Sequence, residues 1–254
     1  MSSIESNLGG GSGTGGGTYG TLTLQGTLQI LKSWGSSFGS DSIVVDVGSG
    51  LGRFLLHSIV HKGGPSATFG IEYDELKCSK SISLMSTTCA QLQGHMEGLN
   101  RISHDRMPII IHSSIHDILS IEPATHIYLA WQGWHPEDKK AMGRLFALSR
   151  TACVVTVVQN YKGVNSSSSL VPISIQLANY MAELGFGEVQ MIGVAMTVSL
   201  AGSGKHLQAY TFQRSQFVAP KAFVQSQGLY LLPQVSYKAC MGSKGVRSRG
   251  QTHL

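Results

Sequence analysis

The sequence predicts a doubly wound α/β fold: a mainly parallel, seven-stranded sheet with an antiparallel hairpin at its C-terminal end. Three observations carry this. Ser42–Val47 reads Ser-Ile-Val-Val-Asp-Val, a continuous β-branched run of the kind found in a central strand buried on both faces. It is followed at once by Gly48-Ser-Gly50-Leu-Gly52, a glycine turn opening a helix. Beyond it, strand-like and helix-like segments alternate as far as Leu184, as a sheet with crossover helices requires. A chain of 254 residues is long enough for one such domain.

In chain order, residues 1–17 carry two Gly-Gly-Gly runs and few apolar residues, so they read as a disordered leader. Residues 18–214 form the folded domain. From Thr18 to about Trp34 the apolar positions Leu22, Leu24, Leu28, Ile30, Leu31 and Trp34 follow helical spacing, and Gly35 ends the helix. After the first strand come a helix from Arg53 to His61, a strand Thr68–Glu72, a helix from Glu75 to about Asn100 and a strand Pro108–His112. A strand His126–Ala130, a helix Pro136–Leu148, a strand Cys153–Val158 and a helix Ile173–Leu184 continue the rhythm. Val189–Leu200 and Leu207–Gln213 are both strand-like and are joined by a short Gly-Ser-Gly turn, which makes them a hairpin. Residues 215–254 mix Gln, Ser, Gly and Lys and read as a mostly irregular tail.

Charge is unevenly placed. The net charge is +5, yet no Asp or Glu follows Glu188, so residues 189–254 carry +7 against −2 for the rest. A near-neutral body with a basic end suggests contact with a polyanion such as nucleic acid. Four well-separated cysteines with no C-x-x-C argue for neither a zinc site nor a disulfide framework, and fit a reducing compartment. With no apolar run of membrane-spanning length, the protein is expected to be intracellular, nuclear or cytoplasmic, with no membrane contact. Nothing in the sequence speaks to oligomeric state.

The chemistry is expected at the carboxyl ends of the first strands. Asp46 precedes the glycine turn, whose backbone can approach a ligand closely. A dinucleotide fingerprint wants glycine at its sixth position, where this chain has Arg53. The Gly-x-Gly-x-Gly spacing instead resembles the first motif of class I S-adenosylmethionine-dependent methyltransferases. Glu72, at the end of the second strand and 20 residues past Gly52, is placed to accept from both hydroxyls of a ribose. Asp117, after the third strand, stands where that class holds the adenine amino group.

Two stretches resemble one family more closely. Tyr19-Gly20, with Val44 to Gly52, looks like the Tyr-Gly-Glu and Asp-Leu-Gly-Ser-Gly-x-Gly pair of the disruptor-of-telomeric-silencing family, the non-SET histone H3 lysine methyltransferases. Ile127-Tyr-Leu-Ala-Trp-Gln-Gly-Trp-His-Pro-Glu137 is similar to that family's Ile-Phe-Val-Asn-Asn-Phe-Ala-Phe-Gly-Pro-Glu run. The likeness covers roughly residues 18–160. It implies S-adenosylmethionine as cofactor, held by Tyr19, Thr21, Asp46, Gly48, Ser49, Gly50, Gly52, Arg53, Glu72, Asp117 and Ile118. It implies a protein substrate, a histone in a nucleosome, with Trp134 walling the lysine channel. The chain departs from the family where Thr21 replaces an acid and Ala130-Trp131 replaces Asn-Asn.

Methyl transfer from a sulfonium needs positioning and a dry aromatic site more than acid–base machinery. Trp131 and Trp134 suit that need, since an indole face attracts a sulfonium or ammonium by ~0.5–2 kcal/mol, and Gln132 is placed to orient an acceptor. The expected activity is therefore lysine methylation. The alternatives are a methyltransferase of the same fold acting on RNA or a non-histone protein, and a non-catalytic adenosylmethionine-binding scaffold. The histidines at 104, 112 and 116 are too loosely spaced for a metal site, and none is expected.

Overall fold

The computed structural model describes residues 21–95, 106–159, 171–201, 205–215 and 236–238. Tyr19, the 1–17 leader and most of the basic tail lie outside the described residues. The elements in chain order are α1 (Leu24–Ser33), a 3-10 turn (Gly35–Ser37), β1 (Ile43–Val47), α2 (Arg53–Val60), β2 (Ala67–Glu72), α3 (Glu75–His95) and β3 (Ile109–His112). They continue as β4 (His126–Leu129), α4 (Pro136–Leu148), β5 (Val154–Gln159), α5 (Ile173–Glu183), β6 (Val189–Met191), β7 (Met196–Ser199), β8 (His206–Arg214) and β9 (Ser236–Lys238). Along the sheet the order is β6-β8-β5-β4-β1-β2-β3-β9, with β7 also paired to β8.

β1 through β5 pair in parallel, and β6, β7, β8 and β9 pair antiparallel. The strand order runs outward from β1 in both directions, so the chain reverses its winding between β1 and β4. That switch point opens a crevice at the carboxyl ends of the strands. β4 and β5 are buried along their whole length, as continuous apolar strands between two helical layers must be.

Two boundaries differ from the sequence expectation for local reasons. α1 starts at Leu24 because the Thr23 hydroxyl accepts the Gly26 N–H at 3.1 Å and caps the helix there. Residues 21–23 are extended instead: Leu22 bridges Leu200, Thr23 N–H donates to the Ser199 carbonyl and Ala201 N–H to the Thr21 carbonyl. The C-terminal hairpin thereby carries the N-terminal segment to the crevice.

The expected seven strands are nine. Val189–Leu200 is broken at Gly193, whose φ of +67° belongs to a turn, so β6 and β7 pair with opposite halves of β8. Within the tail that reads as irregular, Ser236–Lys238 lies antiparallel against the otherwise open edge of β3.

Below the strands, two buried histidines make the domain acid-sensitive. His126 sits between Thr125 Oγ1 at 2.9 Å and Ser37 Oγ at 3.1 Å, and His57 lies 3.2 Å from Thr27 Oγ1. Burial lowers His126 to about 3, and burial with the nearby Arg53 charge lowers His57 to about 4. The unfolded chain takes up these protons near pH 6.5, so this contribution is complete above that pH and is lost on acidification toward 4. At pH 5 each histidine should cost about 2 kcal/mol. Melting temperature measured from pH 7.5 to 5 should fall accordingly, and His57→Gln with His126→Gln should flatten the profile; an unchanged profile would refute the assignment.

Candidate active site

The crevice is a cavity of about 740 Å³. Its floor is the turn between β1 and α2. Gly48, Gly50 and Gly52 all have positive φ, at +75°, +54° and +72°. At Gly52 the left-handed backbone caps α2, and a Cβ there would stand 2.0 Å from Met85 Cε. At Gly48 a Cβ would stand 3.2 Å from Trp134 Cζ2, so glycine lets the indole close over the turn.

The turn's amides are already committed. Gly48 and Ser49 donate to the Ile71 carbonyl at 2.8 and 3.1 Å, Gly52 donates to the Ser49 carbonyl at 2.8 Å, and Gly50 donates to Glu72 Oε2 at 2.8 Å. Glu72 is held a second time by the Asp74 N–H, 3.0 Å from Oε1. A carboxylate has about four lone-pair sites, so Glu72 is oriented and still able to accept two more bonds.

Asp46 is the second buried carboxyl, 3% exposed as is Glu72. Its Oδ1 has no hydrogen-bond partner, and neither has the Ser49 hydroxyl beside it. Burial, then the charge of Glu72, holds Asp46 well above the usual carboxylate range. Beyond the turn, Arg53 joins the lining at the start of α2. Lys77, also in the lining, pairs with Asp74 at 3.4 Å.

These features decide which ligands fit. A phosphate needs free amides and positive charge, whereas here the amides are consumed and two carboxyls lie beneath the cavity. A cationic ligand with a vicinal diol fits better: Glu72 has free lone pairs for the hydroxyls, and a cation would ionise Asp46. The volume falls within the ~300–1,000 Å³ usual for ligand sites. The residues present therefore suit S-adenosylmethionine and do not suit a nicotinamide dinucleotide.

Of the residues anticipated from sequence, Thr21, Asp46, Gly48, Ser49, Gly50, Arg53, Glu72, Gln132 and Trp134 line this cavity. Gly52 lies just behind it as the α2 cap. Three others are corrected. Trp131 is fully buried in the core, edge-on to Phe186, with Lys139 Nζ 5.0 Å from its ring centroid, so it walls no transfer site. The Trp131–Trp134 turn, closed by Trp134 N–H to the Trp131 carbonyl at 3.0 Å with Gly133 at φ +88°, sends one indole inward and the other to the cavity. Asp117 is exposed and Ile118 is packed in the core. The cavity is lined instead by Ser113, Ser114 and Ile115, which follow β3 directly, and by Asp138 on α4. The carboxyl-end rule could have found the first three, because they are the first residues past the strand.

Among the described residues, no His/Cys/Asp/Glu group could hold a metal ion, and no helix is long and apolar enough to cross a membrane. Cys78, Cys89 and Cys153 are free and buried, and burial pushes their thiols up, Cys78 to about 12.

The fold is the Rossmann-like α/β fold of class I S-adenosylmethionine-dependent methyltransferases, with a mostly parallel sheet and antiparallel strands toward the C-terminus. No family model and no curated protein sequence matches the chain. Among solved structures, a small RNA methyltransferase is similar at a TM-score of 0.51 and 14% identity, over 78% of this chain and 26% of that one. A SAM-dependent methyltransferase from Aquifex aeolicus is 15% identical over 74% of this chain and 89% of its own, at a TM-score of 0.46. A putative RNA methyltransferase from Pyrococcus horikoshii is 12% identical over 84% and 99%, at 0.49. None of the three is named a histone methyltransferase, so the finer likeness to that family rests on the two sequence stretches.

Proposed function

We propose that the protein binds S-adenosylmethionine in the cavity above the β1–α2 turn and transfers its methyl group to an amine, with a protein lysine as the acceptor. One observation carries the cofactor reading: two buried carboxyls at the ends of adjacent parallel strands border a glycine turn whose amides are already bonded. When bound, the cofactor supplies a methyl group activated on a sulfonium. Glu72 would take the ribose hydroxyls, Asp46 would meet the cationic methionyl end, and Trp134 would cover the turn and exclude water. Among the charged residues lining the cavity, Asp46, Glu72, Asp74 and Asp138 outnumber Arg53 and Lys77. That balance favours a cationic acceptor over a phosphate chain, and an amine must lose its proton to react, which an apolar wall such as Trp134 assists by desolvation.

A second reading, methylation of RNA, draws on the acid-free stretch 189–254. One of its seven cations is already engaged: Arg214 donates to the Ser149 carbonyl at 2.9 Å and to the Phe146 carbonyl, capping the end of α4. The remaining cations could still meet phosphates. Transfer of tritiated methyl groups to free histones, nucleosomes and RNA, beside a cofactor titration, tests both readings. Label on histone lysine supports the first and label on RNA supports the second. Binding without transfer to any of them would favour a non-catalytic scaffold.

Binding should also release a proton. A cation stabilises the ionised form of Asp46, which burial and Glu72 disfavour in the empty site. Adenosylmethionine affinity should therefore rise with pH until the unliganded group ionises. Calorimetry in two buffers of different ionisation enthalpy should give different apparent enthalpies, and Asp46→Asn should remove the difference. Equal enthalpies for the unsubstituted protein would remove Asp46 from this role.

A further inference from the structure

Asp117 was expected to receive the adenine amino group, yet it is exposed and outside the cavity lining. The structure places another carboxylate there. Asp138, in the first turn of α4, lines the cavity, and its Oδ1 lies 2.8 Å from His116 Nε2. His116 belongs to the segment after β3, whose Ser113, Ser114 and Ile115 line the same wall. This contact therefore spans the two loops that flank the cavity beyond Glu72, on the side away from Asp46.

The other carboxylates of the lining are occupied or differently placed. Glu72 accepts the Gly50 and Asp74 amides. Asp74 Oδ1 accepts the Lys77 N–H at 3.1 Å, and its Oδ2 lies 3.4 Å from Lys77 Nζ. Asp46 lies at the opposite end, under the glycine turn. Asp138 alone combines a place at the base end with an orienting partner on one oxygen, which leaves Oδ2 as an acceptor.

We infer that Asp138, oriented by His116, selects the nucleobase by accepting a hydrogen bond from an exocyclic amine, so that the site prefers adenine to a 6-oxo purine. This rests on the cofactor reading above and assigns its specificity to α4 rather than to the loop after β3. An ionised carboxylate is an acceptor only. It bonds an amino group and repels a carbonyl oxygen, whereas an asparagine in its place can donate to that oxygen. His116 acts through Asp138 and is a positioning residue.

The test measures binding, not turnover. Calorimetric titration of S-adenosylhomocysteine and S-inosylhomocysteine into the full chain should show a preference of roughly 10-fold or more for the adenosyl ligand. Asp138→Asn should abolish or invert that preference, and His116→Ala, with the carboxylate intact, should reduce it by a few-fold. Asp117→Asn should leave it unchanged. Circular dichroism melts establish that each variant is folded; should Asp138→Asn fail to fold, the His116→Ala ratio decides. Retention of the full preference in Asp138→Asn, or its loss in Asp117→Asn, would overturn the inference while leaving the cofactor reading intact. Binding of neither ligand to the unsubstituted protein would overturn the cofactor reading and this inference with it.

Discussion

Glu72→Ala should weaken S-adenosylmethionine binding by at least about 100-fold. Two hydrogen bonds from ribose hydroxyls to a carboxylate are each worth ~1.5–3 kcal/mol, and both vanish. The loss goes further, because the same side chain accepts the Gly50 and Asp74 amides. Without it the buried Gly50 N–H loses its partner and the glycine turn its tether. Glu72→Gln separates the two effects, since an amide can still accept one backbone bond while offering a poorer acceptor pair to the diol. Calorimetry on folded variants decides: an Ala variant with unaltered affinity would displace Glu72 from the site.

The largest stability effect is expected at Gly143. A Cβ there would stand 2.2 Å from the Leu184 carbonyl oxygen and 2.9 Å from its carbon, so the obstacle is backbone, with no side-chain end to swing aside. Alanine ordinarily favours a helix interior over glycine by about 1 kcal/mol. Here α4 must instead separate from the end of α5, and overpacking of this kind costs about 2–3 kcal/mol. For a domain of this size that lowers the melting temperature by roughly 5–10 °C. Gly39→Ala is the control, since nothing lies within 4 Å of its Cβ position. Equal melting temperatures for the Gly143 and Gly39 variants would contradict this packing.

The sequence by itself determined the parts of the protein that depend on local chemistry. A β-branched run, a glycine turn and an acid at the next strand end are short-range signals. They located β1, the β1–α2 turn and Glu72, because backbone conformation and strand burial are dictated within a few residues. Asp46 was legible for the same reason.

The tertiary structure decided what depends on convergence of distant segments. Trp131 and Trp134 are equivalent as residue types, and only the turn at Gly133 and the packing of Phe186 put one in the core and one on the cavity. Asp117 and Asp138 are both acids near strand ends. The choice between them follows from how the loops after β3 and β4 meet, through a His116–Asp138 contact 22 positions apart in sequence. Arg214 reads as one more tail cation until β8 brings it to the end of α4. Ser236–Lys238 has no strand signal of its own, and its pairing comes from the open hydrogen-bonding edge of β3. In each case the deciding free energy lies in contacts between residues far apart in the chain, and periodicity and spacing along one segment do not contain it.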